Sequence, residues 1–363
     1  MILITTQCFP PDRGGIEILM GGLADALAAS GKDVIVFADR MHEAAGEISA
    51  PYTIKRYGGF KPLRRWLKAR AVAKAVKSGH VEAVFADSWK SIERLPKLNV
   101  PIVVLAHGME FPANPTSGKQ GRIVRALAKA TRVVANSAYT ASQAKPYVAN
   151  SETRLRVINP PIGPQDEPGA SELADLRAVI AGRSPVLLTL ARLEPRKGID
   201  MVIRALPDIL KTRPNALYIV AGGGEDRPRL EKLALDGGVG RRVHFAGAVD
   251  GPAKAALFSV ADAFLMPARR EGNSVEGFGI VYLEAAWYGV PSLAGREGGA
   301  VDAVRDGETG LLCNGDDPAD VKRQILRLLD DARLKKRLSA GASARARGPA
   351  QWTNAVRDFL AAL

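Results

Sequence analysis

Two successive runs of strand–helix alternation, broken by a segment that can be neither, restrict the fold of this chain more than any other feature. In the first run, Ile2–Thr5, Val34–Ala38, Ala83–Phe85, Ile102–Ala106 and Arg132–Ala135 are short, apolar or β-branched, and without polar alternation. Strands buried on both faces of a parallel sheet have this pattern. Between them, Glu17–Ala29, Leu63–Ser78, Arg122–Lys129 and Thr140–Tyr147 have helical period, the first stopping at Gly31. The segment Asn159–Gly169 then carries four prolines and two glycines in eleven residues, which excludes a helix or a central strand. After it the alternation restarts. Val186–Leu190, Ala216–Val220, Val243–Phe245, Ala263–Met266 and Pro291–Ala294 are expected as strands. Helices are expected near Ile199–Leu210, Arg227–Leu235, Lys254–Phe258 and Val281–Tyr288, and Gln351–Leu363 is a short amphipathic helix after the Ala/Arg-rich Ser339–Gly348. A length of 363 residues suits two domains better than one core. The expectation is therefore an α/β chain of two Rossmann-like parallel-sheet domains facing across a cleft, 1–163 and 164–348, with 349–363 as a closing helix.

Charge narrows the partners. Lys plus Arg number 51 against 38 Asp plus Glu, a net charge of +13, which points to nucleic acid, an anionic membrane surface or a phosphorylated substrate. The excess is uneven: residues 1–170 hold 23 basic and 14 acidic side chains, and the remainder holds 28 and 24. Two stretches of the first half, Ile48–Val81 with nine basic residues and Phe111–Ser151 with six, contain no acid at all. Cys8 and Cys313 are too few for a disulfide framework or a thiolate metal site, which favours a reducing compartment. Met1–Thr6 lacks the basic region of a signal peptide, and no apolar run approaches the roughly 18 residues of a membrane span.

Several residues stand where open α/β sheets place ligands, just past a strand's carboxyl end. Gly14 and Gly15 follow the first strand and the turn Phe9–Arg13 and open a helix, where backbone N–H groups can approach a phosphate. A plain glycine turn is the alternative. His107 directly follows Ile102–Ala106; a lone histidine can equally be structural. His244 reads as a strand residue, while His42 and His80 lie in loops, and no metal-ligand spacing emerges. Arg192, then Arg196-Lys197-Gly198, lie between a strand and a helix, where a planar fork and a point charge can clamp a diphosphate; a solvated basic loop is the bland reading. Glu276-Gly277-Phe278-Gly279-Ile280 leads, with seven residues between, to Glu284. Two carboxylates each able to accept two hydroxyl hydrogen bonds suit vicinal diols. Glu284 lies among Leu283, Ala285 and Ala286, and an acid on an apolar stretch needs a partner.

Taken in order, these motifs resemble glycosyltransferase family 4, the retaining nucleotide-sugar transferases of the GT-B fold. The resemblance rests on Gly14-Gly15, His107-Gly108, Ala135-Asn136-Ser137 with Tyr139-Thr140, Arg192 with Lys197-Gly198, Glu276 to Glu284, and Gly298-Gly299 ahead of Asp306-Gly307-Glu308-Thr309-Gly310. It implies that Arg192 and Lys197 neutralise the diphosphate, that Glu276 holds donor-sugar hydroxyls and that Glu284 holds the ribose. His107 would contact the sugar near the reacting carbon. The backbone at Gly14, Gly15, Phe278, Gly279 and Ile280 would touch phosphate or sugar, and Val249 would read the base. It also implies metal independence, with a nucleotide-sugar as substrate and no cofactor. The stretch around Val275–Ala286 is similar to users of GDP-mannose, notably phosphatidylinositol mannosyltransferases; UDP-sugars are the alternative donors. The implied role is glycan or glycolipid synthesis.

The basic stretches form amphipathic patterns. Lys61–Lys77 carries seven cations and one tryptophan without an acid, and Lys119, Arg122, Arg125, Lys129 and Arg132 recur at helical spacing. Arg64, Arg65, Trp66, Lys68, Arg122, Arg125 and Lys129 are the expected membrane or acceptor surface, each cation contributing about 1 kcal/mol near anionic lipid. A solvated helix face is the alternative. These features predict a cytoplasmic enzyme held peripherally at the inner face of the plasma membrane, acting on a glycan or lipid-linked acceptor. A nucleic-acid binder is disfavoured: no recognition motif is present, and few aromatics interleave with the cations.

Overall fold

The computed structural model describes residues 1–12, 14–40 and 49–363. Arg13 and His42 lie outside the described residues. The chain forms two compact units, Met1–Gly163 together with Gln351–Leu363, and Pro164–Ala350.

The first unit contains β1 (Ile2–Thr6), β2 (Val34–Asp39), β3 (Thr53–Tyr57), β4 (Ala83–Ala86), β5 (Ile102–Ala106), β6 (Arg132–Ala135) and β7 (Leu155–Val157). They make one parallel sheet in the order β3-β2-β1-β4-β5-β6-β7. Leu3 pairs with Ile35 on one side and Val84 on the other. Alternation along β1 sends Leu3 to one core, with Val72, Val76, Ile123 and Leu127, and Ile2 and Ile4 to the opposite core. The second core also receives Val356 and Phe359 of the closing helix Trp352–Ala361. That helix lies on Gly15–Ala29 because Gly22 has no side chain: a Cβ there would stand 2.3 Å from the Trp352 indole nitrogen. Phe359 meets Phe85 edge-on at 6.5 Å, and its truncation to alanine would cost about 3–5 kcal/mol.

The second unit contains β8 (Val186–Leu190), β9 (Leu217–Ala221), β10 (Val243–Gly247), β11 (Ala263–Met266), β12 (Ser292–Gly295) and β13 (Gly310–Cys313), again all parallel, in the order β10-β9-β8-β11-β12-β13. Both sheets run outward from a central strand and return on its other side, the doubly wound Rossmann order. The switch points lie between β1 and β4 and between β8 and β11. A crevice opens at such a point because the connections leave the sheet in opposite directions.

Three strands escape the sequence reading, β3, β7 and β13, and each is an edge strand. An edge strand is covered less, so it lacks a continuous apolar run; Lys55 and Arg156 interrupt β3 and β7. β13 opens at Gly310, which reads as turn chemistry. Packing demands it, since a Cβ would lie 2.4 Å from the Ser292 carbonyl oxygen. The Ala/Arg-rich segment proves to be the end of a long helix, Ala332–Arg347, preceded by Pro318–Asp330. Asp317 and Asp331 cap the two helices by accepting from the amides of Ala319 and Leu334.

Candidate active site

In the second unit, the chain leaves β8 through Arg192 and closes a tight 3-10 turn, Pro195–Lys197. Gly198 ends it with φ +72°, and a Cβ there would stand 2.2 Å from the Pro267 carbonyl oxygen. Glycine thus lets the turn lie flat on the segment leaving β11. The turn buries Arg196 and Lys197, at 7% and 8% exposure. Both point at one carboxylate: Arg196 Nη1 is 3.1 Å from Glu276 Oε2, and Lys197 Nζ also donates to that oxygen. Burial alone would raise the Glu276 pKa; Lys197 and Arg196 outweigh it and hold the carboxyl below its ordinary range. Glu276 is an anion clamped by two desolvated cations.

The glycines around Glu276 have steric work. A Cβ on Gly298 would lie 2.4 Å from the Glu276 carbonyl oxygen, and the Gly299 amide donates to that oxygen at 2.8 Å. Gly279, at φ +84°, opens the helix Ile280–Trp287 directly over the Tyr282 ring, whose hydroxyl donates to the Met266 carbonyl at 2.6 Å. The Tyr282 amide donates to the Gly279 carbonyl at 3.0 Å, whereas the amides of Ile280 and Val281 precede any intrahelical acceptor and are donors suited to an anion. Phe278 is buried beside them. One turn into the helix, Glu284 is buried and paired with Lys254, Nζ to Oε1 at 2.7 Å. Val249 is half-buried in the loop after β10, just ahead of the helix Gly251–Val260 that carries Lys254.

The two expected leaving-group cations stand in different surroundings. Lys197 is buried in the cluster, whereas Arg192 is 71% exposed and paired with Glu194 at 3.0 Å. Arg196, noted only as part of a motif, is the second cation on Glu276. A further buried pair went unread. Arg269 binds Asp200 through both terminal nitrogens, at 2.8 and 3.0 Å, and its amide donates to the Arg196 carbonyl at 2.9 Å. It pins the cationic turn to β11. Its position just past a strand's carboxyl end, the criterion that selected Arg192, was the available signal.

In the first unit, His107 follows β5, and its Nε2 lies 2.8 Å from the Asp87 carbonyl oxygen. A carbonyl only accepts, so Nε2 carries a proton, and in the neutral imidazole Nδ1 is then the acceptor. The His107 amide donates to Glu110 at 2.7 Å. Gly108, at φ +108°, leaves room for Thr140, whose amide donates to Ser137 Oγ at 3.1 Å to cap the next helix. The motifs at 107–108 and 135–140 thus come together. Gly14 is the N-cap residue and Gly15 the first residue of Gly15–Ala29.

The expected membrane or acceptor surface needs two corrections. Lys68 is 2% exposed and lies 2.6 Å from Asp39 Oδ1. Helix phase places it above Val72 and Val76, which face the core. Lys129 falls beyond the end of the helix Ser117–Leu127 and turns inward, donating to the carbonyls of Glu93 and Leu95 at 2.8 and 2.6 Å. Burial lowers its pKa. Of the others, Arg64 pairs with Asp39 at 3.0 Å, Arg65 donates to Gln7 at 2.8 Å, and Arg122 grips Glu93 through two nitrogens at 2.6 and 3.0 Å. Arg125 is exposed. Trp66 is also exposed, and Phe60, Leu63 and Leu67 join it at the start of the helix Lys61–Lys77, with Lys61, Arg70 and Lys74 exposed along its length. Next to them lies a hollow of about 550 Å³ containing Lys61, Arg65, Lys90, Lys119, Arg122 and Arg125 around Trp89.

Among the described residues, no group of three or more His, Cys, Asp or Glu is placed to hold a metal ion, and no helix is long and apolar enough to cross a membrane.

The family model Glycosyltransferase Family 4 matches residues 13–166, and Glycosyl transferases group 1 matches residues 175–347. Sucrose-phosphate synthase from Thermosynechococcus elongatus has a similar fold, with a TM-score of 0.78 at 22% identity over 100% of this chain and 99% of that one. Anabaena Alr3699/HepE in complex with UDP and glucose superposes with a TM-score of 0.75 at 19% identity over the whole of both chains. In sequence, the chain is 31% identical to the GDP-mannose-dependent alpha-(1-6)-phosphatidylinositol monomannoside mannosyltransferase of Mycolicibacterium smegmatis, over 92% of this chain and 90% of the relative. It is also 31% identical to the D-inositol 3-phosphate glycosyltransferase of Acidothermus cellulolyticus, over 96% of this chain and 85% of the relative. Two Rossmann-like units with these matches define a glycosyltransferase of the GT-B fold. The chain belongs to glycosyltransferase family 4.

Proposed function

We propose that this enzyme transfers mannose from GDP-mannose to a phosphate-bearing, lipid-linked acceptor in glycolipid or envelope-polysaccharide synthesis, with retention at the anomeric carbon. The observation that carries the donor half is the pair of buried cations, Arg196 and Lys197, gathered on Glu276 at the carboxyl end of β8. Cleavage of the bond from the anomeric carbon to the diphosphate leaves negative charge on phosphate oxygen and positive charge on the ring. Lys197, with the exposed Arg192, stabilises the leaving diphosphate, and Glu276 accepts from sugar hydroxyls. Glu284 accepts from the ribose, and the Val249 backbone reads the base. Backbone groups at Gly14, Gly15, Phe278, Gly279 and Ile280 hold phosphate or sugar. His107 meets the sugar near the reacting carbon, with Nδ1 as its acceptor. The acceptor hydroxyl attacks from the leaving-group face, its proton passing to the departing diphosphate as the new glycosidic bond forms. GDP-mannose is favoured by the Mycolicibacterium relative, whose name states that donor. The test is turnover of GDP-mannose beside UDP-glucose. Faster release of GDP, with GDP raising the melting temperature, is expected; preference for the UDP-sugar would reject the donor assignment.

For the acceptor, the support is the cationic hollow beside an exposed apolar helix end. Six cations around one cavity suit a phosphate, and Phe60, Leu63, Trp66 and Leu67 suit acyl chains at the cytoplasmic leaflet. Both named relatives take phosphate-bearing inositol compounds by name. Co-flotation with vesicles containing anionic lipid, falling as salt rises and abolished by Trp66→Glu with Leu67→Glu, is expected. Binding indifferent to lipid charge would remove the membrane half of the proposal.

A further inference from the structure

Glu284 sits on an apolar stretch of the helix Ile280–Trp287, and the cation that reaches it comes from another element, the helix Gly251–Val260. Lys254 Nζ lies 2.7 Å from Glu284 Oε1 and 3.3 Å from Gln165 Oε1. This is not an exposed surface pair: the side chains are 17% and 10% exposed, so both ions are largely desolvated. Such a pair adds little net stability, because desolvating two charges offsets most of their attraction. What it does well is fix a geometry. An ammonium on Oε1 restricts rotation of the carboxylate, and directs Oε2 as the acceptor for a second set of donors.

The helix bearing Lys254 begins two residues after Val249, with Gly251 at φ +49° forming the bend. Lys254 stands one turn into that helix. The ion pair therefore ties the helix that follows the β10 loop to the helix after β11, and the proposed function gives the base to that loop and the ribose to that second helix.

We infer that Lys254 is a positioning residue for the donor: it orients Glu284 to accept the vicinal hydroxyls of the nucleotide ribose and couples that contact to the loop at Val249. The inference rests on the ribose role proposed for Glu284. Lys254 acts through Glu284, so its removal should erase discrimination at the ribose rather than weaken every ligand alike.

Calorimetric titration with GDP and 2′,3′-dideoxy-GDP tests this. The wild-type protein should bind GDP at least about tenfold more tightly, the effect of hydrogen bonds to an ionised acceptor. Lys254→Gln should reduce that ratio to below about threefold, and Lys254→Arg should restore most of it. Adding Lys254→Gln to Glu284→Gln should change the ratio no further, since the two act as one unit. Equal weakening of both nucleotides in Lys254→Gln, with the ratio kept, would overturn the inference and leave the ribose role of Glu284 standing. Equal binding of both nucleotides by the wild type would overturn that ribose role, and this inference with it. The melting temperature of the unliganded Arg variant checks that the fold survives exchange of the cation.

Discussion

Replacing Lys197 by alanine should lower kcat by about 10²–10³-fold while moving the melting temperature only a few degrees. The reasoning follows the charges. Lys197 is buried against Glu276, so its ammonium is already stripped of most water before any donor arrives. A cation in that condition interacts far more strongly with a developing phosphate charge than one in solvent. The fold, however, does not hang on it: Arg196 remains 3.1 Å from Glu276, and Arg269 still pins the turn through Asp200 and the Arg196 carbonyl. Lys197→Arg should be intermediate, because a planar fork cannot reproduce a point charge in a cavity shaped for an ammonium. Steady-state kinetics with the preferred nucleotide-sugar, alongside thermal melting, separates the two effects. A kcat within threefold of wild type would sink the leaving-group role.

Glu276→Gln should push stability and ligand response in opposite directions. In the unliganded site, Glu276 neutralises Arg196 and Lys197, whose side chains are 8% and 10% exposed. Removing that charge leaves the cations without their shared anion, at a cost of about 3 kcal/mol, or about 6–12 °C in the melting temperature of a unit this size. A nucleoside diphosphate supplies the missing negative charge, so its stabilising effect should be larger in the variant than in the wild type. Turnover should nevertheless fall, since the sugar hydroxyls lose their ionised acceptor. An equal or smaller response to ligand would show that the diphosphate does not approach these cations. The pH dependence has a defined sign. The Glu276 carboxyl is held below its ordinary value of 4.5 against the opposing effect of burial, so it binds fewer protons folded than unfolded. Its stabilising contribution is complete above the unfolded value and disappears as pH falls through the folded one. The melting difference between wild type and variant should therefore narrow on acidification below about 4.5.

The legible parts of this protein have a common physical origin. Strands buried on both faces must be continuous apolar runs, and the central strands of both sheets were visible for that reason. The edge strands β3 and β7, broken by Lys55 and Arg156, were not. Gly198, Gly279 and Gly298 stood out because backbone approaches a carbonyl or a ring so closely there that any side chain collides. The partner that Glu284 needed could be demanded from its apolar flanks, but not named. Lys254 lies 30 residues away on another helix, and nothing local marks it.

The amino-acid sequence by itself determined the two strand–helix units, the break between them and the family to which the chain belongs. Local steric and burial requirements write those features directly into residue order. Tertiary structure alone decided which charges do what. It turned Lys68 inward with Val72 and Val76, set Lys129 on backbone carbonyls, and gathered Arg196 and Lys197 on a carboxylate about 80 residues away. A cation in sequence is only a charge. Its partner and its distance from water depend on which remote elements pack against it, and those decide whether it supports a fold, meets a membrane or stabilises a leaving group.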